Sequence, residues 1–335
     1  MRVLVTGATG FLGSHIAREL ADVHDVRVLV RPQSSRRLLT GMRVEEAVGD
    51  MLEPGTLVEA CRGMDAVVHA AANMRGAGGA EARVGSHTLG ASHLAAAAQR
   101  AGVRRFVYVS SVAALGIPDD PPSPTDAHAS ILDERHEWNA PPEMWPYGYA
   151  KYQSERQVLA AGDSMMDVVI VNPSVVLGPG DLHRVSNAIV WWMLRGRSLP
   201  VIDGGVGVVH VRDVAEGARA ALERGRAGER YILSGANLRV VELLNIVAEA
   251  VGRPPPRLRI PFHLARALAE ASGGIGRLLR PAARPVLVEL AGRYFYYDNR
   301  KARRELGVAL ARTALDGARQ AAAWYREEQW SVASG

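Results

Sequence analysis

The sequence predicts an α/β protein, a doubly wound parallel sheet followed by a smaller, mostly helical region. Three observations predict it. Short β-branched runs alternate with longer Ala/Leu-rich amphipathic runs through the first half of the chain. A glycine-rich turn, TGATGFLG at 6–13, separates the first apolar run from the first amphipathic one. After residue 178 the alternation gives way to an apolar segment with paired tryptophans, Trp191 and Trp192, and to further amphipathic stretches.

Each element has its own signal. RVLVT (2–6) is a short apolar run of strand length, and SHIARELAD (14–22) carries apolar residues at helical spacing. VRVLV (26–30) is a second strand; LVEACRG (57–63) closes a helix; DAVVHAA (65–71) is a third strand. SHTLGASHLAAAAQRAG (86–102) predicts a long helix that stops at Gly102. RFVYVSS (105–111) and DVVIVNPS (167–174) are later strands. Residues 117–146 break the rhythm with seven prolines and two tryptophans. Their place just before Tyr147 predicts a lid on the substrate side. NAIVWWMLRGRSLP predicts an apolar helix, and FHLARALAEASGGIGRLLR (262–280) an amphipathic stretch packed within the second region.

Composition excludes several classes. With 48% hydrophobic and 22% charged residues the chain is globular rather than disordered. Its net charge is +5, and residues 26–44 hold Arg27, Arg31, Arg36, Arg37 and Arg43 with no Asp or Glu. An excess concentrated in one segment predicts a local anion site rather than a nucleic-acid surface. Cys61 is the single cysteine, so neither an internal disulfide nor a Cys-based metal site is expected, and no metal is predicted. The apolar start breaks at glycines too soon for a secretory signal, and no run reaches a membrane span; the expected location is the cytoplasm.

Gly7, Gly10 and Gly13 follow a strand and open a helix, the context of a dinucleotide-binding turn. Glycine permits positive φ and removes Cβ where backbone must approach a pyrophosphate, and the free N–H groups of the helix start then face the anion. A carboxylate at the end of the second strand would bind the 2′-hydroxyl of NAD. Here Arg31 follows that strand, with Ser34, Arg36 and Arg37 on the loop. A guanidinium grips a 2′-phosphate that a carboxylate repels, so the predicted cofactor is NADP(H).

PYGYAKYQSE (146–155) places Tyr147 and Lys151 four apart, on one helical face. A nearby ammonium lowers a phenol's pKa toward a useful range, and the same Lys can hold ribose hydroxyls. Tyr297 and Lys301 share that spacing but sit in YFYYDNRKARRELG, where a solvated charged helix start is expected. Ser110 and Ser111 end a strand, at the edge where parallel sheets bind ligands, and Ser111 is the better placed to hold a carbonyl oxygen.

The glycine turn, HAAA (69–72), VSSVAALG (109–116), YGYAK (147–151), NPSVVLGPG (172–180) and VVHVRDVAEGA (208–218) together resemble an extended short-chain dehydrogenase/reductase over nearly the whole chain. The branch most similar contains dihydroflavonol-4-reductase-like enzymes and hopanoid-associated sugar epimerase-like proteins. The resemblance implies a Rossmann-type cofactor domain at 1–178 plus 206–235 and a substrate domain at 179–205 plus 236–335. It implies cofactor contacts at Gly7, Thr9, Gly10, Phe11, Leu12 and Gly13, at Asp50 and Met51, at Ala70, Ala71 and Ala72, and at Pro173 and Val176. It implies a catalytic Ser111, Tyr147 and Lys151, the last two also on the cofactor, and a homodimer through two long helices. His87 and His93 depart from the family's usual Asn residues, and His69 and His210 read as core or edge residues. Family members that act on nucleotide sugars usually place an Arg–Asp pair before the V-H-V strand; DGGVGVVHV (203–211) has no arginine.

The reading that follows is an NADP(H)-dependent oxidoreductase that reduces a ketone or aldehyde of a small, partly apolar substrate, with Tyr147 as general acid. The alternative is a (nucleotide-)sugar epimerase or dehydratase that recycles bound NAD(P). A catalytically idle NADP sensor fits less well, because the Tyr–Lys–Ser set is intact, and no G-x-S-x-G elbow suggests a hydrolase.

Overall fold

Val, Ile and Ala crowd the strands because helices cover both faces of the sheet. The computed structural model describes residues 1–71, 80–127, 129–162, 165–265, 267 and 291–333, with the side chains of 80–87 and 329–333 left aside. The first half runs β1 (Arg2–Thr6), α1 (Phe11–Ala21), β2 (Asp25–Val30), β3 (Glu45–Val48), α2 (Pro54–Cys61), β4 (Ala66–His69), α3 (Ala80–Arg100) and β5 (Arg105–Val109). It continues through β6 (Ile131–Leu132), α4 (Pro146–Ala160), β7 (Asp167–Pro173) and β8 (Val175–Leu177). Then come α5 (Ala188–Leu194), β9 (Val201–Ile202), β10 (Gly205–His210), α6 (Val211–Arg224), β11 (Arg230–Leu233) and β12 (Ala236–Arg239). The last described elements are α7 (Val240–Val251), β13 (Arg259–Ile260), β14 (Tyr294–Tyr297), α8 (Arg300–Leu306) and α9 (Ala314–Ala333).

Among the described residues seven parallel strands form one sheet in the order β3-β2-β1-β4-β5-β7-β11. The chain winds outward from β1 to β3, then crosses back to lay β4 on the other side of β1. That reversal opens a crevice at the carboxyl ends of β1 and β4. Side chains alternate between two cores: Val3 and Val5 pack with Ile16 and Leu20 of α1, while Leu4 packs with Leu57 of α2 and Leu94 of α3. Each such side chain contributes about 1.5–3 kcal/mol when fully buried.

The remaining described elements build a second core from α5, α7 and α9 around β10, including Val190, Leu244 and Tyr325. This region is mostly helical, and it also carries a mixed sheet in which β10 pairs β12 antiparallel and β8 and β14 parallel. The 262–280 stretch lies largely outside the described residues.

Residues 117–146 are stitched down rather than loose. Ile131 and Leu132 pair with Tyr296 and Tyr297 of β14, and Arg293 donates to the carbonyl of Pro118 at 3.0 Å. Trp138 stacks on Tyr152 of α4, and Trp145 meets Phe295 edge-on. The segment is thus held along its length by an arginine hydrogen bond, a strand pair and aromatic packing. Trp191 packs against Tyr325 with Arg184 over its face at 3.8 Å, a packing role in the second core. No helix among the described residues is long and apolar enough to cross a membrane.

Candidate active site

The glycine turn fits a close-approaching anion. Gly7 has φ +77, and a Cβ there would stand 2.6 Å from the amide nitrogen of Ala71. A Cβ on Gly13 would collide with the Gly7 carbonyl. The turn, α1 and the Ala70–Ala71 backbone after β4 therefore close on one another with no room for side chains. Gly10 caps α1 without a side-chain hydrogen bond, and the first turn holds no acid, so its N–H groups stay available to a phosphate. Phe11 and Leu12 are half-buried against the first core, and Thr9 sits at the loop rim. His15, one turn on, donates from Nε2 to the Pro179 carbonyl at 2.9 Å; burial pushes its pKa down. Only the folded chain brings that residue to the site's wall, so the sequence reading missed it.

The arginine segment is less cationic than its sequence suggests. Arg27 pairs with Glu45 at 2.8 Å, Arg36 with Glu46 at 3.3 Å, and Arg37 with Glu328 of α9. These acids lie outside 26–44, two of them immediately after it on β3. Arg36 also donates to the carbonyls of Arg31, Pro32 and Ser34, so its guanidinium folds inward and shapes the loop. Arg31 is exposed, and its guanidinium has no hydrogen bond or ion pair among the described residues.

Beside the crevice, Asp50 caps Leu52 through Oδ1 at 2.9 Å, and the Met51 carbonyl meets His93 Nδ1 at 3.2 Å. Ala72 lies outside the described residues, as does the side chain of His87. Pro173 ends β7, and Val176 is buried in β8 opposite Val209 of β10. His69 is a core residue hydrogen-bonded to Thr6 at 2.7 Å, and His210 caps α6 by accepting from Arg212 N–H.

Ser111 and Tyr147 come together. Ser111 follows β5 and caps a 3-10 turn, its Oγ accepting from Ala113 N–H at 3.2 Å. Its side chain also stands near the Tyr147 hydroxyl and opposes the rise in that group's pKa. Tyr147 as a whole is 40% exposed, while its hydroxyl end is desolvated. Lys151, by contrast, is 3% exposed and donates to the Val109 carbonyl at 3.2 Å. Its Nζ lies 5.1 Å over the Tyr108 ring. Burial lowers its pKa to about 8, an effect that Glu155 opposes.

One expectation is corrected. The spacing leads one to expect an ammonium that lowers the Tyr147 pKa; instead burial of the hydroxyl raises it, and Ser111 is what opposes the rise. The physical reason is direction: Lys151 reaches back to β5 rather than forward to the phenol. The Tyr297–Lys301 pair is also not a solvated helix start. Tyr297 is buried, and Lys301 donates to Glu229 at 2.6 Å and to the Arg230 carbonyl at 2.7 Å.

Glu155, Asn172 and Arg230 were not anticipated. Asn172 on β7 donates to Glu155 at 2.6 Å and to the Ser111 carbonyl at 2.9 Å. Arg230 approaches Glu155 from β11 at 3.6 Å. The one signal in the sequence was spacing, since Tyr147, Lys151 and Glu155 fall at successive turns of one helix face.

A family model described as the NAD dependent epimerase/dehydratase family matches residues 3–234, from β1 past the end of β11. The chain belongs to this family. Within it, the chain is 32% identical over 316 residues to a putative dihydroflavonol 4-reductase of Synechocystis, covering 91% of this chain and 89% of that protein. It is 33% identical over 335 residues to a 4-hydroxy-2-methyl-3-oxo-4-farnesyl-3,4-dihydroquinoline-1-oxide ketoreductase of Stigmatella aurantiaca, covering 96% of each. A solved nucleoside-diphosphate-sugar epimerase from Pseudomonas aeruginosa superposes with TM-score 0.81 at 30% identity, covering 98% of this chain and 99% of that one. Members of this family bind a nicotinamide dinucleotide, and the glycine turn of this chain has the shape and the free amides such a pyrophosphate needs. The protein is accordingly an oxidoreductase-type enzyme of the extended short-chain dehydrogenase/reductase kind.

Proposed function

We propose that the protein is an NADP(H)-dependent carbonyl reductase acting on a small, partly apolar ketone or aldehyde. The observation that carries this reading is the approach of Ser111, just past the carboxyl end of β5, to the Tyr147 hydroxyl. Apolar residues stand beside it: Val112, Leu115, Trp145, Phe295 and Tyr297 form one cluster. A nicotinamide dinucleotide held at the glycine turn of Gly7, Gly10 and Gly13 would supply hydride chemistry for the carbonyl. Ser111 holds the carbonyl oxygen, and Tyr147 passes its phenolic proton to that oxygen as charge develops there. Its raised pKa keeps the phenol protonated and ready to donate until the substrate arrives. Lys151 supplies a fixed positive charge beneath the site.

Arg31 supports the choice of NADP(H). It is the one arginine of the 31–37 loop whose guanidinium is unengaged among the described residues, and it follows the strand end where a ribose would sit. In this reading residues 1–178 plus 206–235 hold the cofactor, and residues 179–205 plus 236–335 the substrate. The deciding experiment titrates NADPH against NADH and then follows loss of nicotinamide absorbance over a panel of ketones and aldehydes. Turnover of an apolar ketone with preferred NADPH is expected; net consumption with no carbonyl sinks the reading.

Likeness to a nucleoside-diphosphate-sugar epimerase favours a second reading, a sugar epimerase with recycled cofactor. It predicts protein purified with tightly held dinucleotide and product formed with no net change in absorbance.

A further inference from the structure

Beneath the site lies a group of charges that the proposed reaction does not use. Glu155 is 1% exposed, one turn past Lys151 on α4. A carboxylate this deep costs several kcal/mol in lost hydration unless other groups compensate. Three strands and one helix supply the compensation. Asn172 of β7 donates to Oε1 at 2.6 Å, and Arg230 of β11 stands 3.6 Å from Oε2. Lys151 shares the helix face, and Ser110 approaches from the end of β5. Arg230 is itself braced, since Lys301 donates to its carbonyl. Asn172 spans two duties: the same amide group holds Glu155 and the backbone carbonyl of Ser111. One buried carboxylate is therefore linked through a single side chain to the serine of the site, and through one helical turn to its lysine.

We propose that Glu155 is a positioning residue: it holds the Lys151 ammonium charged and seated on the Val109 carbonyl, and through Asn172 it fixes the backbone of Ser111. This rests on the reading that Ser111, Tyr147 and Lys151 are the catalytic set. The physical argument is charge compensation. Burial disfavours the ammonium, and the field of a carboxylate one turn away restores part of what burial removes.

The chain offers a direct probe, because Lys151 and Lys301 are its two lysines. Labelling with [ε-13C]lysine gives two signals, assigned with Lys301→Arg. In the native protein the Lys151 signal titrates at about 8, with a second, smaller inflection, displaced upward from the usual carboxylate range by burial, as Glu155 gains its proton. Glu155→Gln keeps the Asn172 hydrogen bond and removes the charge. Its Lys151 midpoint moves to lower pH while that of Lys301 stays, and the alkaline limb of kcat/KM moves down with it. An unmoved or raised Lys151 midpoint overturns the proposal. Should the variant not fold, the Glu155 inflection in the native protein decides, and its absence overturns the proposal. If the midpoint falls and the alkaline limb stays, Glu155 governs the lysine but the lysine's charge does not govern turnover, and it is the catalytic reading that fails.

Discussion

Tyr147 and Lys151 stand one helical turn apart on α4, yet the tyrosine is 40% exposed and the lysine 3%. In the proposed reading the same helix face presents a tyrosine that exchanges protons with a bound molecule and a lysine that stays in the interior as fixed charge. Most of what can be tested follows from that division.

Tyr147→Phe keeps the ring and removes the proton. Turnover falls by about 10²–10⁴-fold, the usual share of a positioned general acid. Nucleotide affinity stays within about twofold, since the phenol is not needed to hold the pyrophosphate. Steady-state kinetics and fluorescence titration read the two quantities separately.

Gly7→Ala forces a side chain against the Ala71 amide at a φ of +77. The backbone conformation alone costs about 1–2 kcal/mol, and the collision pushes β4's exit away from the turn. A lower thermal midpoint and at least about tenfold weaker dinucleotide binding are expected. Calorimetry with and without nucleotide measures both.

Arg31→Ala and Arg36→Ala separate two roles on one loop. Loss of Arg31 weakens NADPH by about 10–100-fold and leaves NADH unchanged, as expected of a charge-assisted pair to phosphate. Loss of Arg36 removes the donor that holds three loop carbonyls, so both nucleotides weaken together. Equal losses in both variants would remove Arg31 from cofactor choice.

Lys151 carries a stability cost. Its pKa is about 8 in the fold against 10.5 as the reference value. Between those values the unfolded chain keeps a proton that the folded one has shed, so this group's contribution to stability rises with pH across the window and is least favourable below it. The cost near neutrality is about 3 kcal/mol. Lys151→Met therefore loses turnover while its thermal midpoint at neutral pH stays at or above the parent's, and the advantage fades toward about pH 10. A drop of several degrees at neutral pH would make the ammonium structural instead.

Local features were the ones legible in the sequence. The strands β1, β2, β4, β5 and β7 announce themselves because helices bury both their faces, which leaves unbroken apolar runs. The glycine turn is legible for the same reason: its constraint acts within eight residues. The two edge strands escaped. β3 reads EEAV and is largely exposed, and β11 opens on Arg230, so neither shows the apolar signature of a central strand. Burial of Glu155 escaped because its partners, Asn172 and Arg230, come from strands 17 and 75 residues away. The ion pairs that quiet Arg27, Arg36 and Arg37 were invisible within a window that stopped at Val44. The inward turn of Lys151 was hidden too, because spacing tells which face a residue shares and not where its flexible end settles.

Arg37 is joined to Glu328, 291 residues further along the chain. A ribosome adding about 5–20 residues per second needs roughly 15–60 s to bridge that interval. The loop that carries Arg37 therefore waits for its clasp long after the glycine turn has been made.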